Sequence, residues 1–348
     1  MKPIFSIIIG ILFLLSCNTT KIILEIKNPV ITTVSINSSI RAIEVINDKT
    51  VWFAGSKGRY GYTEDGGKTW FQDSIFHESQ PVHFRAIAAT DEAIFLLSIA
   101  SPALLFKTID KGKNWKIVYQ ENDTLAFYDS MKFFDTQNGI AMGDPINGCL
   151  SVILTNDGGN AWKKISCENL PPVADGEAAF AASNTNISVV DSHVWIVSGG
   201  KKARVFYSSD KGKTWAVYKT PIAKGGEMTG IFSCHFYDKN NGIIFGGDWE
   251  NQKENTQNKA ITTDGGKTWT LVSDGQNPGY RSCVQYIPNT DGKGLVAVGI
   301  PGMDYSNDGG STWINLNNTP FYTIRFSKSG KTAWLAGDGK IGFFEGFK

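Results

Sequence analysis

Three of the chain's six arginines, Arg41, Arg85 and Arg281, stand at one kind of place, close to the start of a short apolar run. Against 28 lysines, three arginines at matching positions reflect placement rather than abundance. A guanidinium offers a planar fork of donors suited to a carboxylate or a phosphate. Carboxylates follow neighbouring apolar runs: Asp144 in Gly-Asp-Pro, Asp248 in Gly-Asp-Trp and Asp338 in Gly-Asp-Gly. Glu177 lies in Asp-Gly-Glu-Ala-Ala-Phe, and Tyr128 and Tyr280 stand where two further runs begin. If these side chains converge, they make a site for a small ligand, a glycan or a peptide. The alternative is that the Arg–carboxylate pairs only tie neighbouring elements together around a watery channel.

The elements that would have to position them are written as a repeat. The pattern Ser/Thr-x-Asp-x-Gly-x-x-Trp first reads Thr63-Glu64-Asp65-Gly66-Gly67-Lys68-Thr69-Trp70 and recurs five more times. Its acids are Asp65, Asp110, Asp157, Asp210, Asp264 and Asp308, at intervals of 45, 47, 53, 54 and 44 residues. The chemistry is that of a hairpin turn. Asp accepts from nearby backbone N–H groups, Gly takes the positive φ, and Trp opens the next strand with a large ring to bury. Six equivalent catalytic acids would be hard to justify, so these Asp residues are expected to be structural. Apolar strands precede and follow each turn, giving four strands per unit of about 45 residues, the signature of a propeller blade.

Beyond Trp313 the chain supplies three more strands but no seventh turn, and residues 30–37 read as a lone alternating strand. The expectation is a single all-β domain: a seven-bladed β-propeller of four-stranded blades, closed by the N-terminal strand completing the last blade. A six-bladed ring with a C-terminal appendage is the alternative. The six copies resemble the Asp-box, or BNR, repeat of sialidases, sortilin-type receptors, xyloglucanases and the photosystem II assembly-factor propellers. Blade count and single domain most resemble the last group, some of whose bacterial homologues carry the label oxidoreductase. No Gly-rich dinucleotide loop, redox cysteine pair or haem motif supports that label. The sialidase resemblance would imply an arginine triad, a Tyr/Glu pair and an acid, but the usual Arg-Ile-Pro element is missing, and Tyr280-Arg281-Ser282-Cys283 does not replace it.

In such a ring the six turns occupy one face, and the loops entering each inner strand occupy the other. The expected mouth on that second face gathers Arg41, Arg85, Tyr128, Asp144, Glu177, Asp248, Tyr280 and Arg281. The longest irregular insertion, residues 248–258, falls on the same face; loops of this kind often carry recognition.

Composition narrows the function classes. The formal charge is +1, from 34 basic and 33 acidic residues, which argues against a nucleic-acid binder. With 41% hydrophobic residues the chain is not a disordered one. Met1-Lys2, an apolar run over residues 4–15 and Ser16-Cys17 read as a signal peptide. The ending resembles a bacterial lipoprotein signal, in which Cys17 becomes the lipidated first residue. The expected organisation is therefore a signal at 1–16, a lipidated tether at 17–29 and the propeller at 30–348. That would place the protein in the cell envelope, held to a membrane by its lipid only. Cys149 and Cys167 lie at equal distances from Gly158, so a hairpin would bring them opposite each other as a disulfide. Cys234 and Cys283 pair or remain buried thiols. No zinc spacing occurs, and no metal or cofactor is expected. The resulting functional expectation is a non-enzymatic, monomeric binding or assembly propeller for a protein, peptide or glycan ligand. The alternative is a glycoside hydrolase or sialidase-like enzyme.

Overall fold

The computed structural model describes residues 29–345. The signal, Cys17 and nearly all of the expected tether lie outside the described residues. Among those described there is no α-helix and no helix long and apolar enough to cross a membrane. The chain is an all-β propeller in which every sheet is antiparallel.

Six sheets form the blades, not the seven expected. The second sheet shows the plan: Phe84–Ala89 innermost, then Ile94–Ser98, Ala103–Thr108 and Lys116–Glu121 at the rim. The third, fourth and sixth sheets repeat it, starting from Tyr128–Phe133, Ile187–Val190 and Cys283–Tyr286. The fifth starts from Thr229–Phe236 and adds two short strands, Gly199–Gly200 and Glu177–Ala178.

The first sheet overturns the blade count. Its order is Thr323–Phe326, Thr332–Glu345, Thr32–Val45, Val51–Gly55, Arg59–Thr63 and Phe71–Ser74. The strands expected to stand apart as a seventh blade are hydrogen-bonded into this one six-stranded sheet. Thr32–Val45 is a single strand whose first half pairs with the C-terminal strand, from Thr32 opposite Phe343 to Ser39 opposite Asp338. Its second half pairs with Val51–Gly55. Asn37-Ser38-Ser39 reads in sequence as a break between two strands. In the fold, Ser38 Oγ donates to Ser56 O at 2.9 Å, and Ser56 Oγ accepts from Ser39 N at 2.9 Å. Side-chain hydrogen bonds thus satisfy the bend, and the sheet continues through it. The C-terminal strand does pair with the N-terminal one, which leaves no open edge at the seam.

The innermost strands touch in cyclic order, the six-stranded first sheet supplying both the first and the last of them: Thr32–Val45, Phe84–Ala89, Tyr128–Phe133, Ile187–Val190, Thr229–Phe236, Cys283–Tyr286, Thr323–Phe326 and back to the first. The core lies between adjacent sheets. Trp195 of the fourth, fully buried, stacks on Phe236 of the fifth at 3.6 Å between centroids. The centre is filled as well. Residues 182–186 are buried and cross the channel axis. Asn184 Nδ2 donates to Ile87 O (2.9 Å), and its Oδ1 accepts from Met131 N (3.0 Å). Ser183 Oγ donates to Ser282 O (2.6 Å), and Thr185 Oγ1 donates to Ser233 Oγ (2.8 Å). Arg325 donates to the carbonyls of Ser183 (3.0 Å) and Asn184 (2.9 Å). One segment is thereby tied to five sheets, and the channel is blind.

The six repeated turns share one hydrogen-bond pattern. The hydroxyl of Thr63, Thr108, Thr155, Ser208, Thr262 or Ser306 donates to the Asp two residues on. The same oxygen accepts from the glycine N–H four residues on, at 2.9–3.1 Å. The Thr69 hydroxyl and N–H hold the Asp65 carboxyl down to about 2. The Asn114 N–H and side-chain amide do the same for Asp110. Two of the turns are also held from the neighbouring sheet: Tyr60 Oη donates to Gly112 O (3.0 Å), and Trp195 Nε1 to Gly265 O (2.8 Å). Glycine is required at Gly112, where φ is +80° and a Cβ would come within 2.9 Å of the Tyr60 ring.

Cys149 and Cys167 are joined by a disulfide, with Cα atoms 5.5 Å apart and a sequence separation of 18. Closing a loop of that length is worth about 3 kcal/mol. Cys234 and Cys283 are free and buried. Phe343 and Glu345 share a cleft of about 880 Å³ with the turn residues Asp65, Gly66 and Lys68, so the described C-terminal end lies on the turn side.

Candidate functional site

On the face opposite the turns, above the blind channel, is a cavity of about 390 Å³. Its walls include Arg41, Arg85, Asp144, Phe180, Met228, Phe232, Trp249 and Tyr280. A recurring backbone device aims several of these side chains. The register slips between Ile40 and Ala42, between Phe84 and Ala86, between Tyr128 and Ser130, and between Ile231 and Ser233. The extra residues are Arg41, Arg85, Asp129 and Phe232. A further slip between Gly143 and Pro145 singles out Asp144. A β-bulge takes one residue out of the ladder and re-aims its side chain. Three inner strands thus each spend one residue on the mouth, and the fourth bulged residue, Asp129, is fully buried.

The two arginines lack acidic partners. Among the described residues neither Arg41 nor Arg85 has a carboxylate within ion-pair distance. Arg41 lies over the Tyr322 ring at 4.0 Å and donates to Ala182 O at 3.4 Å, while its Nε is buried without a partner. Burial and then the nearby Arg41 charge bring Arg85 down to about 10. On the other side of the cavity, Asp144 Oδ1 accepts from Ala179 N at 2.8 Å. Burial pushes its carboxyl up to about 6. Asp129 is fully buried, both its oxygens lack hydrogen-bond partners, and burial followed by the Asp144 charge raises it well above the usual carboxylate range. The apolar wall is an aromatic stack: Phe180 lies flat on Phe232 at 4.0 Å, and Tyr280 meets Phe232 edge-on at 4.8 Å.

Four of the eight expected mouth residues therefore meet: Arg41, Arg85, Asp144 and Tyr280. The other four are occupied elsewhere. The Tyr128 ring is fully buried in the core, with its hydroxyl 3.3 Å from Tyr119 Oη. Glu177 is bound by the Arg204 guanidinium (Nε to Oε1, 2.9 Å) and by Ser198 Oγ (2.6 Å). Asp248 Oδ1 accepts from Glu250 N (2.8 Å) and Asn251 N (3.1 Å), shaping its loop. Arg281 is buried and ion-paired with Asp304, with Nε 2.7 Å from Oδ2, and its Nη1 donates to Tyr280 O at 2.6 Å.

Sequence reasoning missed Asp129, Phe180, Met228, Phe232 and Trp249. For two of them a signal existed. Ile40-Arg41-Ala42, Phe84-Arg85-Ala86, Tyr128-Asp129-Ser130 and Ile231-Phe232-Ser233 share a large–variable–small pattern. The bulged residue is the variable one, at Asp129 one place after the tyrosine singled out at Tyr128. Among the described residues no group of three or more His, Cys, Asp or Glu side chains is arranged to hold a metal ion.

Comparison with known proteins agrees with this architecture. Residues 25–125 match the family model of the photosynthesis system II assembly factor YCF48. Residues 150–284 match that of sortilin, neurotensin receptor 3. No curated relative matches the chain. Among solved structures, YCF48 bound to D1 peptide superposes with a TM-score of 0.66 at 15% identity, covering 92% of this chain and 97% of that one. YCF48 from Cyanidioschyzon merolae gives 0.66 at 15% identity, covering 90% and 98%. The GH74 xyloglucanase from Xanthomonas campestris gives 0.64 at 12% identity, covering 91% of this chain and 54% of the enzyme. At these identities the likeness is one of fold: the chain is a β-propeller similar to YCF48.

Proposed function

We propose that the protein is a non-enzymatic binding or assembly propeller whose mouth takes a segment of a partner protein through an acidic group. The observation that carries this reading is the pair of adjacent guanidiniums, Arg41 and Arg85, facing one cavity and ion-paired to neither of its carboxylates, Asp144 and Glu227. Half-buried positive charge that is not ion-paired is costly, and a planar anion is the group that relieves it. The blind channel and the aromatic wall favour a peptide side chain over a threaded polymer. The structural likeness to a YCF48 propeller bound to a peptide supports the same reading.

The test is a peptide array in which Asp or Glu is flanked by Phe, Trp, Leu or Gly, followed by fluorescence polarisation on the best binder. Arg85→Ala should weaken binding by about 10- to 150-fold, the value of hydrogen bonds to a charged group. Arg41→Ala/Arg85→Ala should abolish it. Unchanged affinity in the double variant would overturn the proposal.

The envelope address belongs to the same proposal. A lipid on Cys17 would tether the propeller to a membrane face. Cys17→Ser should move the protein from the detergent-extracted membrane fraction to the soluble envelope fraction, and an unchanged membrane fraction would rule the lipid anchor out.

A further inference from the structure

Of the ten tryptophans only Trp249 is exposed, at 42%, and it stands on the rim of the mouth cavity. It is held there. Its N–H donates to Met228 O at 3.0 Å. Asp248 caps the turn that follows it. The rest of its loop is bound to a second loop: Tyr280 N donates to Gln252 O at 3.0 Å, and Asn258 Nδ2 donates to Pro278 O at 2.9 Å. Gly279 lies against Gln252, so close that a Cβ would come within 2.3 Å of its carbonyl oxygen. The fully buried Lys259 fastens both loops, its ammonium donating to Asn258 Oδ1 (2.8 Å), Gln276 O (2.9 Å) and Pro278 O (3.1 Å). A buried lysine with only neutral acceptors is an expensive fastener, and what it fixes is an indole that packs into no core cluster.

An exposed aromatic ring on a backbone-anchored loop beside half-buried arginines is the composition of an interface hot spot, with the loop pre-organised so that less ordering entropy is lost on contact. We infer that Trp249 is the platform on which the ligand packs, and that the partner segment carries a large apolar or aromatic side chain next to its acidic group. The aromatic stack of Phe180 and Phe232 provides the opposite wall for that side chain. This inference rests on the proposed peptide reading and adds a specificity to it.

Two N-acetylated, C-terminally amidated hexapeptides test it, identical except for Phe or Gly beside the single Asp. The native protein should bind the Phe peptide at least tenfold more tightly. Trp249→Ala should remove that preference, so that the Phe and Gly peptides bind alike, and Trp249→Phe should keep most of it. Retention of the preference in Trp249→Ala would overturn the inference and leave the anion reading standing. If Arg41→Ala/Arg85→Ala binds both peptides as the native protein does, the anion reading itself fails. Absence of binding by the native protein overturns both.

Discussion

Arg281→Met is expected to destabilise the protein by about 3–5 kcal/mol in urea unfolding, because it strands Asp304 as an unpaired buried charge. Both side chains of the pair are almost completely shielded, at 5% and 4% exposure. In the intact fold the Arg281 Nε and Nη2 both reach Asp304 Oδ2, while Nη1 caps the carbonyl of Tyr280. The double variant Arg281→Met/Asp304→Leu should recover most of the loss, since replacing both members of a buried pair by apolar groups is often close to neutral. Mouth-ligand affinity in the double variant should stay near the native value, because the guanidinium points into the sheet. A large loss of affinity would return Arg281 to the mouth and contradict the placement seen here.

Asp144→Asn is expected to act in the opposite sense, raising stability at pH 7 by about 2 kcal/mol, a displacement of roughly two pKa units discounted for partial exposure. Burial lifts the Asp144 carboxyl from an ordinary value of 3.8 to about 6. Between those values the native protein holds a proton that the unfolded chain has released. Stability therefore falls as pH rises through the window, and above pH 6 the full cost of the buried charge is present. Asparagine can still accept from Ala179 N but carries no charge. The native-minus-variant difference in unfolding free energy should be near zero at pH 4 and grow until about pH 6. The same change removes a negative charge from the arginine cavity, so anionic peptides should bind several-fold more tightly. Equal stability of the two proteins at pH 4 and pH 7 would refute this account.

Taken together, these two residues show which parts of the site were legible from sequence. The repeat made the all-β class, the strand order within a blade and the placement of the six turns readable, because turn chemistry is local: a hydroxyl, an acid and one or two glycines within eight residues. What depended on non-local partners was not readable. Arg281 and Arg85 sit in similar sequence contexts, and only the Asp304 across the sheet separates a structural arginine from one facing the cavity. Glu177 is an equally exposed-looking acid in sequence, yet Arg204 claims it from 27 residues away. The segment 182–186 is composed of small and polar residues that read as a surface loop. It lies in the channel because the inner strands supply partners for nearly every polar group it buries. The blade count failed for the same reason, since whether Asn37-Ser38-Ser39 ends a strand or bends it is decided by Ser56 on the neighbouring strand.

The pairing of Thr32 with Phe343 fixes more than closure. It brings the start of the first strand to the turn side, where Phe343 and Glu345 lie beside Asp65 and Lys68. The described chain therefore begins on the side opposite the arginine cavity. If Cys17 carries a lipid, the ring would be attached through its turn face, and the arginine cavity would open on the face away from the point of attachment. A client held in that cavity would be presented to the aqueous compartment or to a facing membrane, rather than pressed against the leaflet that holds the anchor.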